Sequence, residues 1–131
     1  MTEAVTPLLT GLVAATFTPM NGDGAIDLQR IPALFDFVLG QGVDGLLVCG
    51  STGESPSLTI DERMAVAETY IEATAKRVPV VVHVGHNSLR DARTLAAHAQ
   101  QLGAEAIAVA PPSYSPLSSV SYTPPPLTTI L

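Results

Sequence analysis

Residues 45–84 read GLLVCGSTGESPSLTIDERMAVAETYIEATAKRVPVVVHV, and their pattern decides the fold. An apolar run, Gly45 to Cys49, meets a loop bounded by Gly50 and Gly53; a helix-length polar and apolar pattern follows, and then a second apolar run, Val80 to Val84. Two short apolar runs separated by a helical pattern mark a βαβ unit, whose strands lie parallel because the helix carries the chain back to the same edge. Continuous apolarity, in place of alternation, implies strands buried on both faces. The helix start is encoded in Thr59-Ile60-Asp61-Glu62, a capping box in which the Thr59 hydroxyl accepts a free N–H and the Glu62 carboxylate accepts the N–H of the cap residue. This helix is expected to run to about Lys76, with two cations at the negative end of its dipole.

The same unit repeats outward in both directions. A first strand is expected over Leu12–Phe17, ended by Thr18-Pro19, and a fourth over Ala106–Ala110, ended by Pro111. The first helix is expected to start after Asp27 and close near Gly40, with Leu34, Phe35, Val38 and Leu39 on one face and Pro32 near its first turn. The third runs from an Asn87 or Ser88 cap to Leu102, closed by Gly103 as a left-handed cap. Gly42-Val43-Asp44-Gly45-Leu46 is echoed by Gly103-Ala104-Glu105-Ala106-Ile107 at two helix-to-strand junctions. Repeated βα units predict an α/β chain of the (β/α)8 TIM barrel type. A whole barrel needs about 250 residues, so four strands and three helices make a half barrel.

Charge and composition narrow the function. Twelve acidic residues against six basic ones give a net charge of -6, and no basic stripe offers itself to a phosphate backbone, which argues against nucleic acid as a partner. Cys49 cannot form an internal disulfide, being the one cysteine, and reads as buried filler from a reducing compartment. The first ten residues lack a basic flank and a long apolar stretch, so a cytoplasmic location is expected, without a membrane span. From Ala106 to Leu131 there is no charged residue, and prolines crowd the end. The expected organisation is therefore a barrel segment over residues 1–114 and an aberrant or disordered Pro/Ser/Thr-rich tail over residues 115–131.

Gly50-Ser51-Thr52-Gly53-Glu54, followed by Leu58-Thr59-x-x-Glu62-Arg63, resembles the signature of the dihydrodipicolinate synthase / N-acetylneuraminate lyase family. Thr18-Pro19-Met20, Gly24, Asp27, Val78-Pro79-Val80 and Gly85-x-Asn87-Ser88 extend the resemblance over about residues 8 to 114. It implies a homo-oligomeric lyase that forms a Schiff base between a lysine and a 2-oxo acid such as pyruvate and makes or breaks a carbon–carbon bond beside it, with no further cofactor and no metal. On the matching positions, Gly50, Ser51, Thr52 and Gly53 would bind the substrate carboxylate, Thr52 would also join a proton relay, and Tyr114 would reach into a neighbouring subunit's relay. The family's lysine and main catalytic tyrosine belong to later strands. Lys76, the only lysine here, is expected at a helix end, so these residues alone are expected to be inactive. His83-Val84-Gly85 is similar to the neuraminate-lyase branch, but the subfamily stays open.

Other readings of the same residues compete. Glu54 reads as ordering its own loop through backbone N–H groups. His83 and His86 lack a further ligand at metal spacing; His83 is expected to face the barrel interior and His86 to sit at a helix N-terminus. A Ser/Thr/Gly loop at a strand end also suits a flavodoxin-like phosphate- or flavin-binding module, although Glu54 would repel a phosphate. A poorly folded fragment without function is the third reading, since a half barrel leaves two sheet edges open.

Overall fold

A computed structural model describes residues 9–112. Four strands form one parallel sheet in the order β1-β2-β3-β4: β1 (Val13–Ala15), β2 (Gly45–Val48), β3 (Val80–His83) and β4 (Ala106–Ala108). Three helices carry the chain between them: α1 (Ile31–Gly40), α2 (Ile60–Thr74) and α3 (Leu89–Leu102). All four strands fall inside the ranges expected from the sequence but are shorter, because Cys49 turns into the left-handed region at φ 59 and Val84, past β3, donates to Ala108 through the loop.

The register divides the strands into two faces. Leu46, Val48, Val80, Val82, Val84 and Ile107 join Phe35, Val66, Tyr70, Leu95 and Ala99 in one core under the helices. The alternate positions, Ala15, Leu47, Val81, His83, Ala106 and Ala108, are paired strand to strand on the opposite face. Only the helix side is fully covered: Leu46 and Val48 are fully buried, whereas Leu47 and His83 are partly exposed and Ala15 is exposed. The expectation of burial on both faces thus holds in the described residues for the middle of β3 and fails along β1, where Leu12 and Phe17 are also exposed.

Helix ends follow local chemistry. Before α1 the chain makes a 3-10 turn, Leu28–Arg30, and Pro32 takes the second helical position, where its missing N–H would have had no intrahelical acceptor. Ser88 caps α3 by accepting from the N–H of Asp91, and Gly103 closes it at φ 82. The capping box of α2 forms as expected, with the Thr59 N–H donating to Glu62 at 2.8 Å and the Glu62 N–H donating to the Thr59 hydroxyl at 3.1 Å. Its C-terminus corrects the sequence reading: α2 stops at Thr74, and Ala75 and Lys76 both turn left-handed. Lys76 lies outside the helix, while Arg77 reaches back to donate to the carbonyls of Ala73 (2.9 Å) and Thr74 (3.1 Å). Arg77 also lies 4.7 Å over the Phe35 ring, tying α1 to α2.

Among the described residues no helix is long and apolar enough to cross a membrane. Thr59→Ala removes one arm of the capping box and should lower unfolding free energy by about 1 kcal/mol. Thr59→Ser should restore most of it; equal urea midpoints for all three proteins would show that the cap contributes nothing.

Candidate functional site

Parallel strands connected by helices place every strand's C-terminal end at one rim, and the loops there are free to carry polar groups. The loop after β2 is built from Cys49 to Thr59. It starts and turns at two strained positions, since Cys49 and Glu54 both hold positive φ, at 59 and 58 degrees. Non-glycine residues in this region each cost on the order of 1 kcal/mol, a cost that the surrounding structure must offset. Two backbone bonds fold the loop on itself: Glu54 N–H to the Ser51 carbonyl at 3.0 Å and Ser55 N–H to the Gly50 carbonyl at 3.3 Å.

Gly50 and Gly53 are buried, and Ser51 and Thr52 stand exposed between them. A Cβ on Gly53 would lie 3.2 Å from the Cys49 Cα and 3.3 Å from the Thr16 carbonyl oxygen, both backbone atoms, so any side chain there would push the loop away from β1 by a few tenths of an ångström. Buried Thr18 fastens that approach by donating to the Gly53 carbonyl at 2.7 Å. Among the described residues the N–H groups of Ser51, Thr52 and Gly53 donate to no main-chain carbonyl of the loop, and neither the Ser51 nor the Thr52 hydroxyl is hydrogen-bonded. Successive free donors on a small loop suit a carboxylate or another anion. Glu54 orders the turn through its backbone: the carboxylate makes no cap bond to the Ser55–Ser57 turn, contrary to the role expected for it.

A cavity of about 360 Å³ opens at the same rim, lined by Ser51, Ser55, Arg63, His83, His86 and Asn87 among others. His83 lies on the barrel-facing side as expected. Its ring rests over Gly85, where a Cβ would fall 2.7 Å from His83 Cε1, and its Nδ1 is buried with no partner among the described residues. Burial first, and the positive charge of Arg63 second, push the His83 pKa below its ordinary 6.5. His86 is turned to the helix instead: its Nδ1 accepts the Ser88 N–H at 2.9 Å and approaches Asp91 at 3.8 Å, at the start of α3. No group of three His, Cys, Asp or Glu able to hold a metal occurs among the described residues.

Three positions were given no role by the sequence reading, although Thr18 and Arg63 stand in the motifs that carry the family resemblance. Arg63 is 3% exposed and donates to the carbonyls of His83 (2.7 Å) and Gly85 (2.9 Å). Tyr70 donates its hydroxyl to the Phe17 carbonyl at 2.6 Å, fixing the end of β1; burial raises its pKa to about 12. Thr18 is the third. A signal was present for the first two: Arg63, Val66, Ala67, Tyr70 and Thr74 share the 3, 4, 7 spacing of one buried helix face, and a charge on such a face must have partners. Cys49 is buried, and desolvation lifts its thiol to about 11 despite nearby Arg63. Lys76 is exposed in the turn before β3, at the rim opposite the loop. Tyr114 lies outside the described residues, as do residues 115–131.

A profile of the dihydrodipicolinate synthetase family matches residues 8–122. A 4-hydroxy-tetrahydrodipicolinate synthase from Bartonella bacilliformis is 42% identical over 108 residues, covering 82% of this chain and 37% of its own length. An N-acetylneuraminate lyase from Danio rerio is 45% identical over 108 residues, covering 81% of this chain and 35% of its own. Among solved structures, YagE, a prophage protein of the dihydrodipicolinic acid synthase family from E. coli K12 in complex with pyruvate, superposes with a TM-score of 0.83 at 37% identity, over 88% of this chain and 39% of that one. The Proteus mirabilis N-acetylneuraminate lyase gives 0.82 at 34% identity, over 86% and 38%. The chain therefore spans little more than a third of the length of the relatives it matches.

A histidine held below its ordinary pKa contributes stability that is present above pH 6.5 and lost as pH falls through the folded value. Urea midpoints measured at pH 7 and pH 5 should fall on acidification, and His83→Gln should shrink that difference. A variant with the wild-type pH dependence would remove His83 from the acid-side loss.

Proposed function

This chain belongs to the dihydrodipicolinate synthetase family, and from that premise we propose that it forms the N-terminal portion of a (β/α)8 lyase of the Schiff-base type, acting on pyruvate or another 2-oxo acid. The observation that carries the reading is the Gly50–Gly53 loop, with unclaimed N–H and hydroxyl donors at the C-terminal rim of a parallel sheet. A 2-oxo acid has one permanent negative charge, on its carboxylate. Three successive N–H groups and two hydroxyls held in a fixed loop can bind that charge without rearranging, which leaves the keto carbon pointed into the barrel for attack by an amine.

In this reading Gly53 gives the loop its close seat on β1, Gly50, Ser51, Thr52 and Gly53 together hold the carboxylate, and Thr52 begins a proton relay that Tyr114 continues from a neighbouring subunit. The iminium formed with a lysine would serve as the electron sink for the carbanion at the neighbouring carbon. Lys76 is at the opposite rim, so the amine must come from beyond these four strands, and residues 1–131 alone form no imine. Homo-oligomerisation and a cytoplasmic location complete the proposal, together with residues 115–131 as a segment separate from the barrel.

The test is to incubate the 131-residue chain with pyruvate, add borohydride and record the intact mass, in parallel with amide spectra during pyruvate titration. Expected are no covalent adduct and saturable shifts at Ser51, Thr52 and Gly53, which Thr52→Ala weakens by about tenfold, as expected for a lost bond to a charged group. A stoichiometric adduct at Lys76 would overturn the division of labour, and no shift at the loop would remove it as the carboxylate site.

A further inference from the structure

Arg63 is a buried cation that the loop chemistry above does not use. A buried charge is tolerated only when hydrogen bonds replace its water, and those bonds show what the charge organises. Arg63 sits in the second turn of α2, 3% exposed, at the junction of two loops. One terminal nitrogen donates to the carbonyl of His83, the last residue of β3, and the other donates to Gly85, two residues farther along the same loop. On the other side its own backbone carbonyl accepts from the Cys49 thiol at 3.7 Å, immediately before Gly50. Ser51, Arg63, His83 and Gly85 all line the same cavity.

We infer that Arg63 is a positioning residue that clamps the C-terminal ends of β2 and β3 together and thereby sets the Ser51–Thr52 loop. The inference rests on the reading of that loop as the oxo-acid site. Thr18 fixes the loop to β1 through the Gly53 carbonyl; Arg63 supplies the matching constraint from β3. A planar guanidinium meets two carbonyls of one strand end with two fixed donors, which a single ammonium cannot reproduce with equal geometry. A second consequence concerns charge. Arg63 faces His83 and lies beside the Cys49 thiol, which burial pushes up to about 11 and so keeps neutral near pH 7. Arg63 therefore adds to burial, the larger cause, in lowering the His83 pKa at the rim of the cavity.

The test uses the labelled 131-residue chain and three readouts. In Arg63→Met, exchange of the Glu54 and Ser55 amides, which fold the loop onto the Ser51 and Gly50 carbonyls, should rise at least about tenfold while the Val80–Val82 amides change much less, and the His83 pKa should rise, with burial still holding it below 6.5. Arg63→Lys, which keeps the charge but not the two fixed donors, should leave the His83 titration low and the loop only partly protected. In the wild type, the Arg63 side-chain N–H signals should be protected and rotation about Cζ–Nε slow, a measurement that stands even where a variant fails to fold. Unchanged loop exchange in a folded Arg63→Met, equal acceleration in loop and sheet, or a freely rotating wild-type guanidinium would each overturn the clamp. Pyruvate added to the wild type reports separately: no shift at Ser51 and Thr52 removes the oxo-acid reading and leaves the exchange data to judge the clamp.

Discussion

The seating of α2 on the sheet is the constraint from which the other features follow. Its buried face presents Arg63, Val66, Ala67, Tyr70 and Thr74 to the strands, and it packs between α1 and α3. Val66 and Ala67 contribute apolar burial, which is non-directional and leaves a helix free to slide or rotate by small amounts. The polar groups remove that freedom. Tyr70 reaches the carbonyl of Phe17 past β1, and Arg63 reaches two carbonyls at the end of β3. A helix bonded at two points, to the chain just past β1 and to the end of β3, on either side of β2, resists sliding and rotation, and the loop that enters it from β2 is anchored as a result.

Strain at that loop is intelligible in the same terms. Cys49 and Glu54 adopt left-handed conformations that the free chain disfavours. They persist because Thr18, the Gly53 seat on β1 and the Thr59 capping box determine the path before and after them. Holding a loop in such a fixed, strained arrangement costs folding energy, and under the proposed function the arrangement is in place before a ligand arrives. The same helix that supplies stability through Val66 and Tyr70 thus supplies the rigidity on which preorganisation depends.

Much of this was legible in the residues. The run from Gly45 to Val84 carried the βαβ unit, Thr59 and Glu62 located the start of α2, and Ser88 and Gly103 bounded α3, because these signals act within a few residues and need no knowledge of distant partners. The end of α2 was misjudged for the opposite reason: Lys76 and Arg77 look alike as cations near a helix end, yet one turns away and the other folds back over Phe35, a residue of α1. The roles of Arg63, Thr18 and Tyr70 were missed because their partners lie 20 to 53 positions away, and no local pattern encodes a bond across the sheet. The Gly-Ser-Thr-Gly loop was legible as a motif, whereas its anchoring on β1 and β3 emerges only from the register.

The sheet's two faces differ in a way that bears on how the site is closed. Under the helices the strands are sealed, with Leu46, Val48 and Val84 at zero exposure. On the other face Leu47, His83 and Ala108 are only partly covered, and Leu12 and Phe17 beside β1 are 60% and 63% exposed. Parallel strands are ordinarily covered on both sides, and the matched relatives continue for more than half their length outside the shared portion. A face of this composition is suited to a barrel interior: apolar residues toward the bottom of the strands, then His83 and the Ser51–Thr52 loop at the top, where an anion can be held out of bulk water. Closing the barrel over that face would lower the local dielectric around the loop, and each N–H and hydroxyl donor would then bind a carboxylate more strongly than it can in the open half.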